Sequence, residues 1–535
     1  MKKKLLFTAL FAGFFAVSNA QSNSGTDYFA LGEYGTAKEY FEQNLSKAPA
    51  ESNYYLGEIA FKEGKADVAK ANFEKGIAAD PLYALNYVGQ GKLLLKSDQK
   101  AAETLFATAL KKNKKDVAVN VAIARAYFDC GMKDVALLKL EVARKVGKKS
   151  PLVYILEGDM CEKPSDAASK YEQAVYFDPT NVVAAIKFSE VYLGINPQLA
   201  VEKLKKVVTD HPDFMIAYRD LGNGYSKNGQ YLTSIESYKK YFEGGTFTAQ
   251  DAITFASAYF FTDQFQESYD IINKGLALEP NNFLLNRLRV YNAAKLKDPE
   301  GLAYSDAFFK LTSENGFIYQ DYVAKATLLS QSGDYAQALE IFNKVISEDA
   351  TKPDVYKELF SVYNKKGDKV NAAKTYRKYM DLMGEQYVGV LDYYQLGRAY
   401  YSVASSSLKD STEAGKAMVK EYVLKADSAF AKVCDLTPDS YTGYLWRGNV
   451  NCFLDLESTQ GLAKPYYEAA ITAILNKAKD TGLNGNTKDL IDCYRYLGYY
   501  YYLKNDKENS VKYCDSILAL DPNNATAKAL KDSFK

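Results

Sequence analysis

The chain has 535 residues, with 67 lysines and arginines against 66 aspartates and glutamates, a formal charge of +1, so it presents no basic excess for nucleic acid or an anionic membrane surface. One histidine and six cysteines leave no ligand set for the usual zinc sites and no disulfide framework. At this length the chain exceeds one ordinary domain, and its wealth of Ala, Lys, Leu and Tyr without alternating Val/Ile/Thr runs predicts helix throughout.

Residues 1–20 read as a secretory leader. Lys2, Lys3 and Lys4 precede a 13-residue apolar run over 5–17 and the small-x-small site Ser18-Asn19-Ala20, and such a run is too short for the roughly 20 residues that span a bilayer. Cleavage near Gln21 is expected, leaving an exported protein with a formal charge near −2 once the three lysines go and no integral membrane segment. The periplasm is the expected compartment, with secretion or outer-membrane association as alternatives.

After the leader, units with similar residues follow one another. The first, with Tyr28, Ala37, Phe41 and Pro49, has a curtailed opening helix. The second carries Leu56-Gly57, Ala69, Phe73 and Pro81. Gly147-Lys148-Lys149-Ser150 lacks the spacing of a phosphate loop and reads as a turn between helices, and His211, directly before Pro212, reads as a helix-end residue. The clearest unit has Tyr218, Leu221-Gly222, Tyr225, a turn at Gly229 and Tyr231, then Ser234, Tyr238 and Tyr241. At a spacing of about 34 residues the pattern returns as Phe255-Ala256, Tyr259, Ser268, Ile272, Gly275 and Pro280.

Residues 281–316 keep helical periodicity but lose most signature positions, so a degenerate unit or bend is expected between an N-terminal array over 21–280 and central units over 317–384. The central units carry Ala338, Phe342, Ala372 and Tyr376. From 385 to 535 come Leu396-Gly397, Tyr400, Ala426, Phe430 and Pro438, with an insertion near 402–421 that is expected to lengthen the second helix at its N-terminus. Then follow an exposed loop expected from Asn476 to Lys488, Leu497-Gly498, Tyr501, Ser510 and Pro522, and a capping helix from Ala525 to Phe534. The acid-proline pairs Asp80-Pro81, Asp178-Pro179, Glu279-Pro280 and Asp521-Pro522 predict helix ends, because proline disfavours helical geometry in the residue before it.

These residues resemble the tetratricopeptide repeat family. The resemblance implies an all-α, right-handed superhelical solenoid of about fourteen antiparallel helix pairs, some degenerate, in which a small residue of each first helix is expected to face small residues of the second while aromatics fill the flanking gaps. It also implies a concave wall built from first helices, with positions six and three before the signature glycine, and one, four and five after it, facing the groove. Around Gly222 these are Ile216, Arg219, Asn223, Ser226 and Lys227; around Gly397, Leu391, Tyr394, Arg398, Tyr401 and Ser402; around Gly498, Asp492, Arg495, Tyr499, Tyr502 and Leu503. Arg219 and Asn223 match the opening pair of the carboxylate clamp with which some members hold chaperone tails. Gln250, Ile253 and Thr254 in the following unit depart from it, so the chaperone function does not carry over.

No catalytic, cofactor-binding or metal-binding set emerges, and most of the 45 tyrosines fall on packing positions. The expected function is therefore a non-catalytic exported scaffold or adaptor that binds protein segments in its groove, within an envelope assembly, and not nucleic acid. The alternative is a solute- or glycan-binding helical protein using exposed tyrosines. Candidate partner residues are Tyr394, Arg398, Tyr401, Arg495, Tyr499 and Tyr502, with Arg219 and Asn223. Of the cysteines, Cys493 and Cys514 alone fall on the two helices of one hairpin; no essential disulfide is expected.

Overall fold

The computed structural model describes residues 25–244, 246–311, 316–483 and 485–534, so the expected leader lies outside the described residues. Among them are twenty-nine α-helices and no strand. The helices follow as fourteen consecutive pairs, from Gly25–Ala30 with Tyr34–Gln43 to Thr487–Leu503 with Lys507–Leu520, and a single helix, Ala525–Asp532, closes the C-terminal end. This is the all-α array of helix pairs that the repeat pattern predicts.

Local chemistry sets the helix ends. Asp98, Asp334, Asp368 and Asp506 each accept the backbone N–H three residues on, at 2.9 to 3.1 Å, and so satisfy a donor that the first turn leaves free. Asp80, Asp178, Glu279 and Asp521 are each the first residue past a helix, in extended or intermediate backbone, as their following prolines require.

Within a pair, a glycine of the first helix meets an aromatic ring of the second. A Cβ at Gly222 would lie 2.6 Å from Tyr238, at Gly397 2.7 Å from Phe430 and at Gly448 2.6 Å from Tyr467, so no larger residue fits without moving a ring. Where the second helix has serine in its small position, the hydroxyl donates to the first helix: Ser234 to the Gly222 carbonyl at 2.7 Å, Ser268 to Ala256 at 2.8 Å and Ser510 to Gly498 at 2.9 Å.

The array divides into two compact units between Leu288 and Arg289, inside the Phe283–Leu296 helix. Its partner, Gly301–Phe308, has only 8 residues. In the second unit the residues after Tyr400 add turns to both helices of their pair, giving Val390–Ser407 with 18 residues and Glu413–Leu436 with 24. The loop expected from Asn476 is a correction: the helix runs Lys464–Thr481. Lys477, Ala478 and Lys479 are good helix formers, and the break comes at Gly482, whose φ of 70° a side chain would resist.

The six cysteines are free. Cys493 packs with Ala463, Tyr467 and Ala470, whereas Cys514 packs with Ile517 and Ala527, so the two thiols of the last pair serve different layers. Burial pushes the Cys493 thiol up to about 12.

Candidate functional site

In the second unit the candidates form two groups. Tyr394, Arg398 and Tyr401 gather on the sole tryptophan, Trp446: Tyr394 and Tyr401 meet it edge-on, at 6.0 and 5.2 Å between ring centroids, and the Arg398 guanidinium lies 5.8 Å from both the Tyr394 and Trp446 rings. Tyr401 also stacks on Phe453 at 5.0 Å, and burial raises the pKa of its hydroxyl. Tyr394 and Tyr401 are therefore partly packing residues, while Arg398 is exposed.

Arg495, Tyr499 and Tyr502 line one cleft of about 980 Å³, together with Asn449, Asp492 and, from the closing helix, Leu530 and Ser533. Tyr499 is 45% exposed and its ring is parallel to that of Tyr502 at 6.4 Å. Tyr502 in turn meets Phe534 edge-on at 5.3 Å. Arg495 pairs with Asp492 one turn away and keeps 55% of its side chain in solvent. The Tyr441–Asn451 helix links the two groups, since Trp446 belongs to the first and Asn449 to the second. Such a cleft offers aromatic faces and a cation to a peptide side chain.

In the first unit both candidates already have partners. Asn223 accepts the Tyr238 hydroxyl at 2.6 Å. Arg219 holds Asp220 at 3.0 Å and also pairs with Glu33. Ile216, expected on the groove wall, is only 5% exposed, in a cluster with Ile186, Leu204 and Phe214 against which Tyr28 and Leu31 pack, so it is covered and not open to a partner.

A charged ladder that the sequence reading missed runs through this unit. Lys92 lies 2.6 Å from both Glu58 and Asp129, Lys62 reaches Asp129 at 2.8 Å, and Asp159 takes Arg125 at 2.5 Å and Lys187 at 3.0 Å. The Lys92, Lys62 and Arg125 charges hold the Asp129 and Asp159 carboxyls below the usual range in spite of burial. Glu58, Lys92, Arg125, Asp159 and Glu190 each stand one residue after the small residue of their repeat, at Gly57, Gly91, Ala124, Gly158 and Ser189. The same offset that selects Asn223 and Tyr499 finds them when applied to every repeat.

Among the described residues no group of three His, Cys, Asp or Glu side chains is placed to hold a metal ion, and no helix is long and apolar enough to cross a membrane.

Two family models described as tetratricopeptide repeat match, over residues 23–84 and 322–352. Among curated proteins, the chain is 30% identical over 189 residues to RNA polymerase II-associated protein 3 of Rattus norvegicus, covering 34% of this chain and 26% of that one. The Xenopus laevis protein of the same name is 26% identical over 199 residues, covering 37% and 27%; the chain thus spans about a quarter of these relatives' length. Among solved structures, the C-terminal part of a TPR repeat-containing protein from Cytophaga hutchinsonii is 26% identical and covers 52% of this chain and 98% of that one, with a TM-score of 0.42. Yeast Tom70 is 15% identical and covers 94% and 98%, with a TM-score of 0.34.

Proposed function

We propose that this chain, which belongs to the tetratricopeptide repeat family, is a non-catalytic exported scaffold that holds a segment of a protein partner on the first-helix face of its second unit. Tetratricopeptide repeat proteins are in general interaction scaffolds without catalytic activity, which supports the class. The single observation that carries the site is that Arg495, Tyr499 and Tyr502, selected by one positional rule, line one open cleft of about 980 Å³. Tyrosine and arginine give broad contact with few rotors, and they dominate many interfaces.

Export rests on the apolar run over 5–17 between three lysines and a small-x-small site. A periplasmic place in an envelope assembly follows as part of this reading, and the near-zero net charge supports a protein partner over nucleic acid. The test is affinity capture from the native envelope with the mature protein and its Arg495→Glu and Tyr499→Ala variants. Chains captured by the wild type and lost from both variants support the site; identical capture by all three rejects it. N-terminal sequencing of the native protein tests leader cleavage, which a start at Met1 would overturn, and recovery of the chain in the cytoplasmic fraction alone would overturn export.

A further inference from the structure

The groove of the first unit is filled by the chain's own beginning. The Gly25–Ala30 helix and the turn that follows it through Gly32, whose φ is 82°, bring four side chains against residues far along the sequence. The Tyr28 ring lies 5.2 Å from Phe214. Leu31 packs against two clusters, one with Ile186 and Ile216 and one with Ile155 and Val183. Glu33 pairs with Arg219, 186 positions away, and Thr36 meets Thr246 at 3.2 Å. The wall positions Ile216 and Arg219 are therefore covered by residues 28–34, and Arg219 keeps only 17% of its side chain exposed.

The apolar part of the contact is packed, whereas its polar part is poorly compensated. Glu33 takes Arg219 Nη1 while Asp220 takes Nε at 3.0 Å, and the other oxygen of Asp220 is buried without a hydrogen-bond partner. Glu190 adds a third carboxylate close enough to feel the charges of Asp220, Arg219 and Glu33, and Lys187, which also acts on it, is bonded to Asp159 at 3.0 Å. Solvent still reaches Glu190, but the groove walls crowd its carboxyl, and with Asp220 and Glu33 nearby they push it up to about 7. Arg219 thus serves two bonded carboxylates with a third nearby, so negative charge here is undercompensated and the hold on Glu33 is weaker than in an isolated pair.

We propose that residues 28–34 are an internal ligand of this groove, and that its external ligand is a protein segment of the same chemistry, two apolar or aromatic side chains followed by a carboxylate that takes Arg219. Binding such a segment then requires release of the internal one, so the first unit is shut until a competitor arrives. This rests on the reading that the chain binds peptides, but it concerns a different surface from the second-unit cleft.

The test uses the mature chain and a labelled synthetic peptide of residues 27–36. Glu33→Arg is expected to remove hydrogen-exchange protection from residues 25–36 and to raise affinity for the wild-type peptide about tenfold over the wild-type chain, since apparent affinity scales with the fraction of open groove. A peptide carrying Glu33→Arg is expected not to bind. Combining Glu33→Arg with Arg219→Glu is expected to restore protection and again exclude the wild-type peptide. Unchanged protection in Glu33→Arg overturns the proposal, as does loosening without any gain in peptide binding. Should Glu33→Arg lower the melting temperature of the whole unit, the double variant decides: restored protection supports the internal ligand and continued loss overturns it. Failure of partner capture at the second-unit cleft would leave each of these outcomes unchanged.

Discussion

Lys92 and Glu58, one repeat apart, form an ion pair at 2.6 Å in which the two side chains are only 2% and 5% exposed. Asp129 of the next repeat takes the same ammonium at 2.6 Å, and the Phe61 ring lies 4.4 Å from it. One lysine thus compensates two carboxylates across three consecutive repeats. Lys92→Met keeps the apolar stem but leaves both acids without their shared cation. The expected loss is about 3 to 5 kcal/mol, the scale for breaking a buried pair. Lys206→Ala, which removes a pair whose members are 63% and 45% exposed, is expected to cost less than about 1 kcal/mol. Denaturant unfolding of both variants, followed by hydrogen exchange within residues 49–146, checks the contrast.

The acids of the first unit respond to pH in opposite directions. The Asp129 and Asp159 carboxyls are held below the usual value of 3.8 by Lys92 and Arg125, against their burial. Their stabilisation is present above that value and is lost as pH falls through the lower folded one. Glu190, although its residue is exposed, is pushed up from 4.5 to about 7 by the groove walls that crowd and desolvate its carboxyl first and then by Asp220 and Glu33, with Lys187 and Arg219 opposing. The folded form keeps its proton where the unfolded chain has lost it, so its contribution is full below 4.5 and declines as pH rises to about 7. Glu190→Gln mimics the protonated group. It is expected to melt higher than the wild type at pH 8 and together with it at pH 4.5, as thermal scans at the two values would show.

What was legible in the sequence is what repeats locally. The acid-proline ends and the offset that places Arg495, Tyr499 and Tyr502 in one cleft depend on residues within one helix pair, whereas the small residue expected opposite the signature glycine is in fact an aromatic ring at Gly222, Gly397 and Gly448. The ladder from Glu58 to Asp159 was equally regular but needs the repeats laid over one another, because each partner lies a repeat away. The meeting of Glu33 with Arg219 had no local signal, since closure over 186 positions comes from summed rotations between pairs. The helical turns after Asn476 were hidden by a polar composition that reads as loop when no apolar stripe accompanies it.

The glycines of the repeat are not equivalent. A Cβ at Gly397 would stand 2.7 Å from the Phe430 ring, whereas at Gly498 nothing comes nearer than 3.7 Å, because Cys514 occupies the place of the ring. Gly397→Ala is expected to cost about 1 to 3 kcal/mol through overpacking. Gly498→Ala is expected to be neutral or to stabilise by up to about 1 kcal/mol, the helix-propensity difference. Paired melting curves of the two variants distinguish them, and equal destabilisation by both would contradict the packing argument.

The candidate partner residues separate into those that hold the fold and those that face outward. Tyr401 lies between Trp446 and Phe453 and packs against the core that contains Tyr400, Val403 and Phe430. Tyr401→Ala is expected to lose about 2 kcal/mol of stability, the scale of burying an aromatic side chain in part, so reduced capture by that variant would say nothing of binding. Arg398 and Arg495 are exposed and Tyr499 is 45% exposed, so Arg398→Glu, Arg495→Glu and Tyr499→Ala are expected to shift stability by less than about 0.5 kcal/mol. At a binding centre each would cost roughly 2 kcal/mol of partner affinity, about thirtyfold. Titration of each variant against a captured partner, beside its melting temperature, checks this. Unchanged affinity in all three would move the binding surface away from the second unit's first-helix face. Loss confined to Arg495→Glu and Tyr499→Ala would place the partner in the C-terminal cleft and leave Arg398 as a lid on Trp446, 5.8 Å from its ring.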